Sequence, residues 1–318
     1  MSSVEASEPH IPDDADQTPL LDVSALVPGA HVLIKDETRY ASGSHKEPAA
    51  RAVVARAMAD GCHRIVLGSC GNYGRAMAIA SRAAGISCTV VLPAGKSDGA
   101  EWMRAAGADV RLIEGSYEDA VAQSRSRAMA DGDYGVADGN VDGQYAETIL
   151  RGHGIVVDSL AAALLTPPTA IWLPAGNGTT IIAVHQRLRA LNWPTAINGV
   201  GSRGNNAMLT SWPGVYRMLD PDQVRTTEHN QPLVNWHALH GPEALAAVAD
   251  TGGALYGVED EDLCAAASNL AQYNAFPTPA GAVALAGLLT RARTTGVAPG
   301  AHVALLSGRE LDSPGQPS

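Results

Sequence analysis

RIVLGSCGNYGRAMAIASRAAGISCTVVLP, residues 64–93, decides the fold. Arg64–Gly68 is a short aliphatic run with the composition of a buried strand. It feeds a polar turn, Ser69–Gly74. RAMAIASRAAG then reads as a helix stopped by Gly85, and SCTVVLP as a further strand. Strand, turn, helix and strand in about 30 residues is the unit from which parallel sheets covered by helices are made.

The same alternation extends in both directions. Upstream, HVLIKDE is strand-like and PAARAVVARAMADG is a helix closed by Gly61. Downstream, SDGAEWMRAAG reads as a helix with Ser97 or Asp98 as its N-cap and Gly107 at its end. ADVRLIEG, the helix YEDAVAQSRSRAMADG and the strand YGVAD follow. QYAETILRGHGIVVDSLAAAL reads as a helix despite its two glycines. AIWLP, a glycine turn and IIAVHQRLRAL repeat strand, turn and helix. AINGVGS and LYGVE are strands, but Gly201–Thr251 between them shows no clear period. EDEDLCAAASNLAQYN and PAGAVALAGLLTRART are helices, and AHVALLS is the last strand. The acidic run at Glu259–Asp262 suits a solvated helix start. Residues 1–17 read as a flexible arm and 311–318 as a flexible tail.

The 318 residues hold one large core or two smaller ones. Phe276 is the one phenylalanine, so the core rests on Ala, Val, Leu and Ile, which favours α/β over an aromatic-rich sandwich. A net charge of −11 speaks against nucleic acid, whose phosphates demand a basic surface. No apolar stretch reaches the roughly 20 residues of a membrane span, and no signal peptide is visible. Cys62, Cys70, Cys88 and Cys264 form no CxxC pair. They fit scattered positions in a reducing compartment, so a cytoplasmic protein is expected. His237 and His240 lack a third ligand at metal spacing, and no metal is expected.

Four pieces carry chemistry. Lys46, in ASGSHKEPAAR, offers an amine that condenses with an aldehyde and later removes an α-proton. SCGNYG aims backbone N–H groups and the side chains of Ser69 and Asn72 at one point, as a carboxylate requires. PAGNGTT (Pro174–Thr180) has Gly176 and Gly178 for close approach to an anion, with Thr179 and Thr180 at a helix start. It lacks the Lys-Ser/Thr of a P-loop and the spacing of a dinucleotide fingerprint, so a single small phosphate is favoured over a nucleotide. Ser307, in LLSGRE, is a neutral hydroxyl after a strand. Opposite a pyridine nitrogen it leaves that nitrogen largely unprotonated, which favours expulsion of a leaving group over transamination. Each piece also has an ordinary structural reading; their order along one chain is the argument.

Together these residues resemble the fold-type II pyridoxal phosphate enzymes, the tryptophan synthase β superfamily, with threonine synthase the nearest likeness. The resemblance runs from TPLLD at Thr18 to Glu310 and includes SGSHK, SCGNYGRAMAIASRAAGISCTVVLPAG, GADVRLIEGSYEDA and NVDGQYAETI. It implies two interleaved three-layer α/β domains with mainly parallel sheets and pyridoxal 5'-phosphate in the cleft between them. The large cofactor-binding domain is expected at 18–44 plus 145–310, and the small domain at 45–144. Lys46 would hold the cofactor as a Schiff base and shuttle protons. Contacts to the cofactor are expected from His45, Asn72, Gly176, Asn177, Gly178, Thr179, Thr180 and Ser307. Ser69, Cys70, Tyr73, Asp142 and Gln144 are the expected substrate residues.

Several positions depart from the family pattern. Glu47 and Pro48 replace Asp-Arg after the lysine, Thr278 stands for a glutamate, and Tyr73 replaces a smaller hydroxyl residue. Val141 and Asp142 take the place of an arginine-bearing stretch that holds a phosphorylated substrate. Asp142 would instead hold an amino or hydroxyl group. The expected activity is threonine-synthase-like elimination or replacement of a β or γ leaving group on a small amino acid, through an aminoacrylate or vinylglycine-type intermediate. Serine/threonine dehydratase-like elimination, cysteine-synthase-like β-replacement and a catalytically silent cofactor-binding homologue are the alternatives. A homodimer is the expected assembly.

Overall fold

The computed structural model describes residues 18–69, 71–115, 117–131, 134–136 and 144–311. Their alternation builds two compact units, one on Glu47–Gly152 and one on the residues up to Lys46 and from His153 onward. The chain begins with β1 (Leu20–Asp22) and β2 (His31–Asp36). Then come α1 (Glu47–Ala59), β3 (Arg64–Gly68), α2 (Asn72–Ala84), β4 (Ser87–Pro93), α3 (Ala100–Ala105), β5 (Asp109–Ile113), α4 (Tyr117–Asp131), β6 (Tyr134–Val136) and α5 (Ala146–Ala163). The remainder is β7 (Ala170–Pro174), α6 (Thr179–Ala190), β8 (Ala196–Ser202), α7 (Ala207–Ser211), α8 (Gly241–Asp250), β9 (Leu255–Val258), α9 (Asp260–Leu270), α10 (Val283–Thr294) and β10 (Ala301–Leu306).

The smaller unit carries a four-stranded parallel sheet in the order β5-β4-β3-β6. Its core is aliphatic: Val53, Ile65, Leu67, Met77, Val90, Leu92, Met103 and Ile149 meet there. Ala-rich α1 tolerates Pro48 because the first helical turn has no intrahelical use for that N–H. Gly85 ends α2 in the left-handed conformation, as its place in the sequence foretells. The helix expected to start at Ser97 or Asp98 starts later. A 3-10 turn, Ala94–Gly99, comes first, and Gly99 caps α3 without a side-chain hydrogen bond.

The larger unit has a six-stranded sheet in the order β1-β2-β10-β7-β8-β9. All its pairs are parallel except β1 with β2. Burial is nearly continuous along β2, β7, β8 and β10, so both faces of these strands are covered. Trp172, wholly buried in β7, satisfies its indole by donating to His302 Nδ1 at 3.2 Å, while His302 Nε2 donates to the Ala298 carbonyl at 2.8 Å. At the end of β2, Lys35 is buried and donates to the Thr18 carbonyl (2.7 Å) and Ser159 Oγ (2.5 Å), with Glu37 3.8 Å away. Capping Glu259 and Asp262 exchange hydrogen bonds with the backbone at the start of α9, which gives that acidic run a structural use. Among the described residues no helix is long and apolar enough to cross a membrane.

Gly152 permits a close helix contact in the smaller unit. A Cβ there would stand 2.4 Å from Ala49 Cα and 2.9 Å from Ala49 N, so α5 lies directly on the backbone of α1. Ordinarily Gly→Ala inside a helix gains about 1 kcal/mol. Here overpacking should reverse the sign, and Gly152→Ala should lose about 1–3 kcal/mol in urea unfolding. An unchanged or raised midpoint would refute the close approach.

Candidate active site

The loop that carries Lys46 is fixed to the end of β10 by one carbonyl. Ser307 O accepts from His45 N (3.2 Å), Ser44 Oγ (3.2 Å) and His45 Nδ1 (2.8 Å). Ser44 pairs with Gly308 as an isolated bridge, and Arg309 N donates to Gly43 O at 2.9 Å. Ser44 Oγ also accepts from Lys46 N at 3.3 Å, so the lysine's own backbone belongs to this arrangement. Lys46 itself is half-buried.

His45 links the loop to the glycine turn. A carbonyl only accepts, so the Nδ1 facing Ser307 carries the proton and the neutral ring presents Nε2 as an acceptor. Thr180 Oγ1 lies 3.3 Å from that nitrogen. The ring of His153, on α5, stands 5.7 Å from the ring of His45. Burial, with the charge of Lys46 second, pushes His45 down to about 3. The same causes, burial first, hold His153 well below the ordinary range, and His45 adds to them. Both imidazoles are therefore neutral at pH 7.

After Pro174 the chain turns through Ala175–Gly178 into α6. Gly178 caps the helix at φ +94°, and a Cβ on it would meet Ala244 Cβ at 2.8 Å and His240 O at 2.9 Å. No side chain caps α6, and its first intrahelical bond runs from Ile182 N to Gly178 O. The N–H groups before Ile182 thus face outward from the helix start, the arrangement that holds anions. A Cβ on Gly176 would meet no atom within 4 Å, so the turn opens onto space on that side. Asn177 is tied down from behind, its carbonyl accepting from His240 N (3.1 Å) and its Oδ1 from Asn235 Nδ2 (2.5 Å). Thr179 and Thr180 are buried. An uncapped helix start with open space beside it and two hydroxyls fits a phosphate monoester, and therefore the phosphate of pyridoxal phosphate.

Ser307 is buried, and its N–H donates to Gly281 O at 3.0 Å. Thr278, at the position of the family glutamate, donates through N to Gly308 O (3.0 Å), and its Oγ1 accepts from Gly281 N (3.0 Å). It braces the segment that holds Ser307. The larger unit thus joins His45, Thr180 and Ser307 through direct hydrogen bonds, with Lys46 next in the chain. Ser44 and His153 belong to the same cluster, and sequence reasoning passed over both. Ser44 was visible as part of SGSHK; His153, inside a helix, gave no signal.

In the smaller unit Ser69 is buried and turned onto its own loop, its Oγ accepting from Gly71 N (3.3 Å) and Gly74 N (2.9 Å). Asn72 opens α2, and its Oδ1 accepts from the Arg75 guanidinium. Tyr73 packs against the aliphatic core of this unit. Gln144 is exposed and donates to Tyr145 Oη at 3.1 Å. Cys70 and Asp142 lie outside the described residues. Among the described residues no cluster of His, Cys, Asp and Glu is arranged to hold a metal ion.

A family model described as "Pyridoxal-phosphate dependent enzyme" matches residues 11–308. Over 201 residues the chain is 32% identical to a human protein named serine dehydratase-like, covering 61% of this chain and 60% of that one. It is 28% identical over 269 residues to threonine synthase of Methanosarcina acetivorans, covering 80% of this chain and 64% of the other. The chain spans less than two thirds of the length of these two relatives. Among solved structures, an L-serine ammonia-lyase from Rhizomucor miehei superposes with a TM-score of 0.77 at 22% identity, covering 92% of this chain and 93% of that one. Identity that low carries the fold alone.

The two depressed histidines make stability depend on pH. Unfolded, each ring takes up a proton near 6.5, whereas folded it does so only at much lower pH. Their contribution is complete above about pH 6.5 and is lost as pH falls, at up to about 1.4 kcal/mol per pH unit for each ring. His153→Gln should therefore flatten the fall in unfolding free energy between pH 6.5 and 4. An unaltered slope in urea titrations would contradict the neutral assignment of His153.

Proposed function

The chain belongs to the pyridoxal-phosphate dependent enzyme family, and on that premise we propose that it expels a β or γ leaving group from a small amino acid. The observation that carries this reading is the His45 ring, in hydrogen-bonding contact with both Ser307 and Thr180 beside Lys46. These contacts support reading Lys46, the helix start at Thr180 and Ser307 as parts of one site in the larger unit. Bound there, pyridoxal phosphate supplies a ring that takes up the electron pair left when the α-proton departs.

Each residue has a defined task in this reading. Lys46 Nζ would hold the aldehyde carbon of the cofactor. As a free amine, Lys46 would take the α-proton of the substrate and could return it to the departing group. The turn Gly176–Thr180 holds the phosphate through backbone N–H groups and the hydroxyls of Thr179 and Thr180. Ser307 would offer the ring nitrogen a neutral hydroxyl, which does not hold a full positive charge there and so favours loss of a leaving group over slower exchange chemistry. Asn72, whose Oδ1 accepts from Arg75, remains the residue proposed for the ring hydroxyl. Ser69, Cys70, Tyr73, Asp142 and Gln144 remain the proposed substrate residues.

Replacement in the manner of threonine synthase is the leading form. Net deamination to a keto acid and ammonia is the second, favoured by the 32% identity to the human serine dehydratase-like protein. A cytoplasmic homodimer is part of the same proposal.

A panel of serine, threonine and their O-substituted and homologous analogues, read out for ammonia and by mass spectrometry for new amino acids, distinguishes the two forms. Lys46→Ala should abolish the near-visible absorption of the purified protein and lower turnover by at least about a thousandfold. Full activity in that variant, or no product from any substrate in the wild type, would overturn the reading.

A further inference from the structure

Asn206 lies in the stretch where the sequence shows no period, yet it is fully buried against the glycine turn. The two ends of its amide do different work. Oδ1 accepts from Met208 N (3.0 Å) and Leu209 N (3.4 Å), which makes Asn206 the N-cap of α7. Nδ2 points the other way, 2.7 Å from Ala175 O, 3.4 Å from Gly176 O and 3.4 Å from Leu233 O. Ala175 and Gly176 begin the turn whose far end is the start of α6.

A peptide whose carbonyl is drawn to one side must aim the following N–H to the other, because the unit is planar and trans. Donation to Ala175 O and Gly176 O therefore orients the N–H groups of Gly176 and Asn177 away from Asn206. Asn235 makes a second attachment one residue on, its Nδ2 donating to Asn177 Oδ1. Residues 205–207 and Asn235 are joined by backbone hydrogen bonds from Asn235 N to Asn205 O (2.8 Å) and from Ala207 N to Asn235 O (2.9 Å). The two amides thus form one support behind three consecutive residues of the turn.

We propose that Asn206 is a positioning residue for the phosphate of the cofactor, setting the direction of the turn's N–H groups without touching the phosphate itself. The inference rests on the assignment of Gly176–Thr180 as the phosphate seat. An asparagine is required because one end must accept and the other donate. Aspartate retains the cap but offers no donor to the carbonyls, and serine caps while remaining neutral.

The test compares binding of pyridoxal phosphate and of pyridoxal, which lacks the phosphate, to cofactor-free protein carrying Asn206→Asp or Asn206→Ser. Both variants should weaken pyridoxal phosphate at least about tenfold, the loss expected for a disturbed set of hydrogen bonds, and leave pyridoxal within about twofold. The bound cofactor's phosphorus resonance should move in both. A purely structural role would lower the affinities for both compounds alike, and that result, or unaltered pyridoxal phosphate binding, overturns the proposal. If the charged variant fails to fold, the neutral one decides. Gly178→Ala is the control for the seat. If it too leaves the preference for the phosphorylated compound intact, the seat assignment falls; if it abolishes the preference and the Asn206 variants do not, only the role of Asn206 falls.

Discussion

Everything proposed for Lys46 depends on the Ser307 carbonyl, which receives three donors from Ser44 and His45. A buried carbonyl left without partners is costly, and here its lone pairs are used to anchor a loop 262 residues away in sequence. The anchoring has an electronic consequence as well as a mechanical one. Because Nδ1 must donate to Ser307, Nε2 is left to accept, and Thr180 is drawn to it. One tautomer thereby ties the lysine loop, the last strand and the helix after the glycine turn to each other. A protonated ring would keep the first bond and reverse the second, Nε2 then donating to the Thr180 hydroxyl, and burial disfavours that charged state.

Most of the fold was legible in the sequence because its elements are local. Strands such as Arg64–Gly68 and Ala170–Pro174 are short aliphatic runs ended by turn residues, and helices stop where glycine allows a left-handed residue. The start of α3 was misread because a good capping side chain does not by itself choose between a 3-10 turn and an α-helix. Strand β1, three residues long and antiparallel, carries too little pattern to be seen before its partner is known.

The glycine turn, the lysine and Ser307 were visible as local motifs. What orients them was not. His153 sits in a helix whose period gives no reason to single it out, and its meaning comes from the ring 5.7 Å away. The stretch after Gly201 holds two helices, α7 and α8, that the sequence reading missed, and around them several residues serve the turn instead of a regular element. Asn206, Asn235 and His240 N all reach back to Ala175–Asn177. Such supports use polar groups at unrepeated spacings, and no periodicity rule describes them.

The strand order also bears on how the protein is made. Strand β10 lies between β2 and β7, so the central ladder of the larger sheet joins residues far apart in the sequence. During synthesis β2 emerges well before β10, the neighbour with which it pairs. Among the described residues the smaller unit is one continuous stretch, Glu47–Gly152, and can close before β10 is made, whereas the larger sheet must wait for β10. Truncation shortly before Ala301 would therefore leave β2 without its parallel neighbour and expose two aliphatic edges to aggregation.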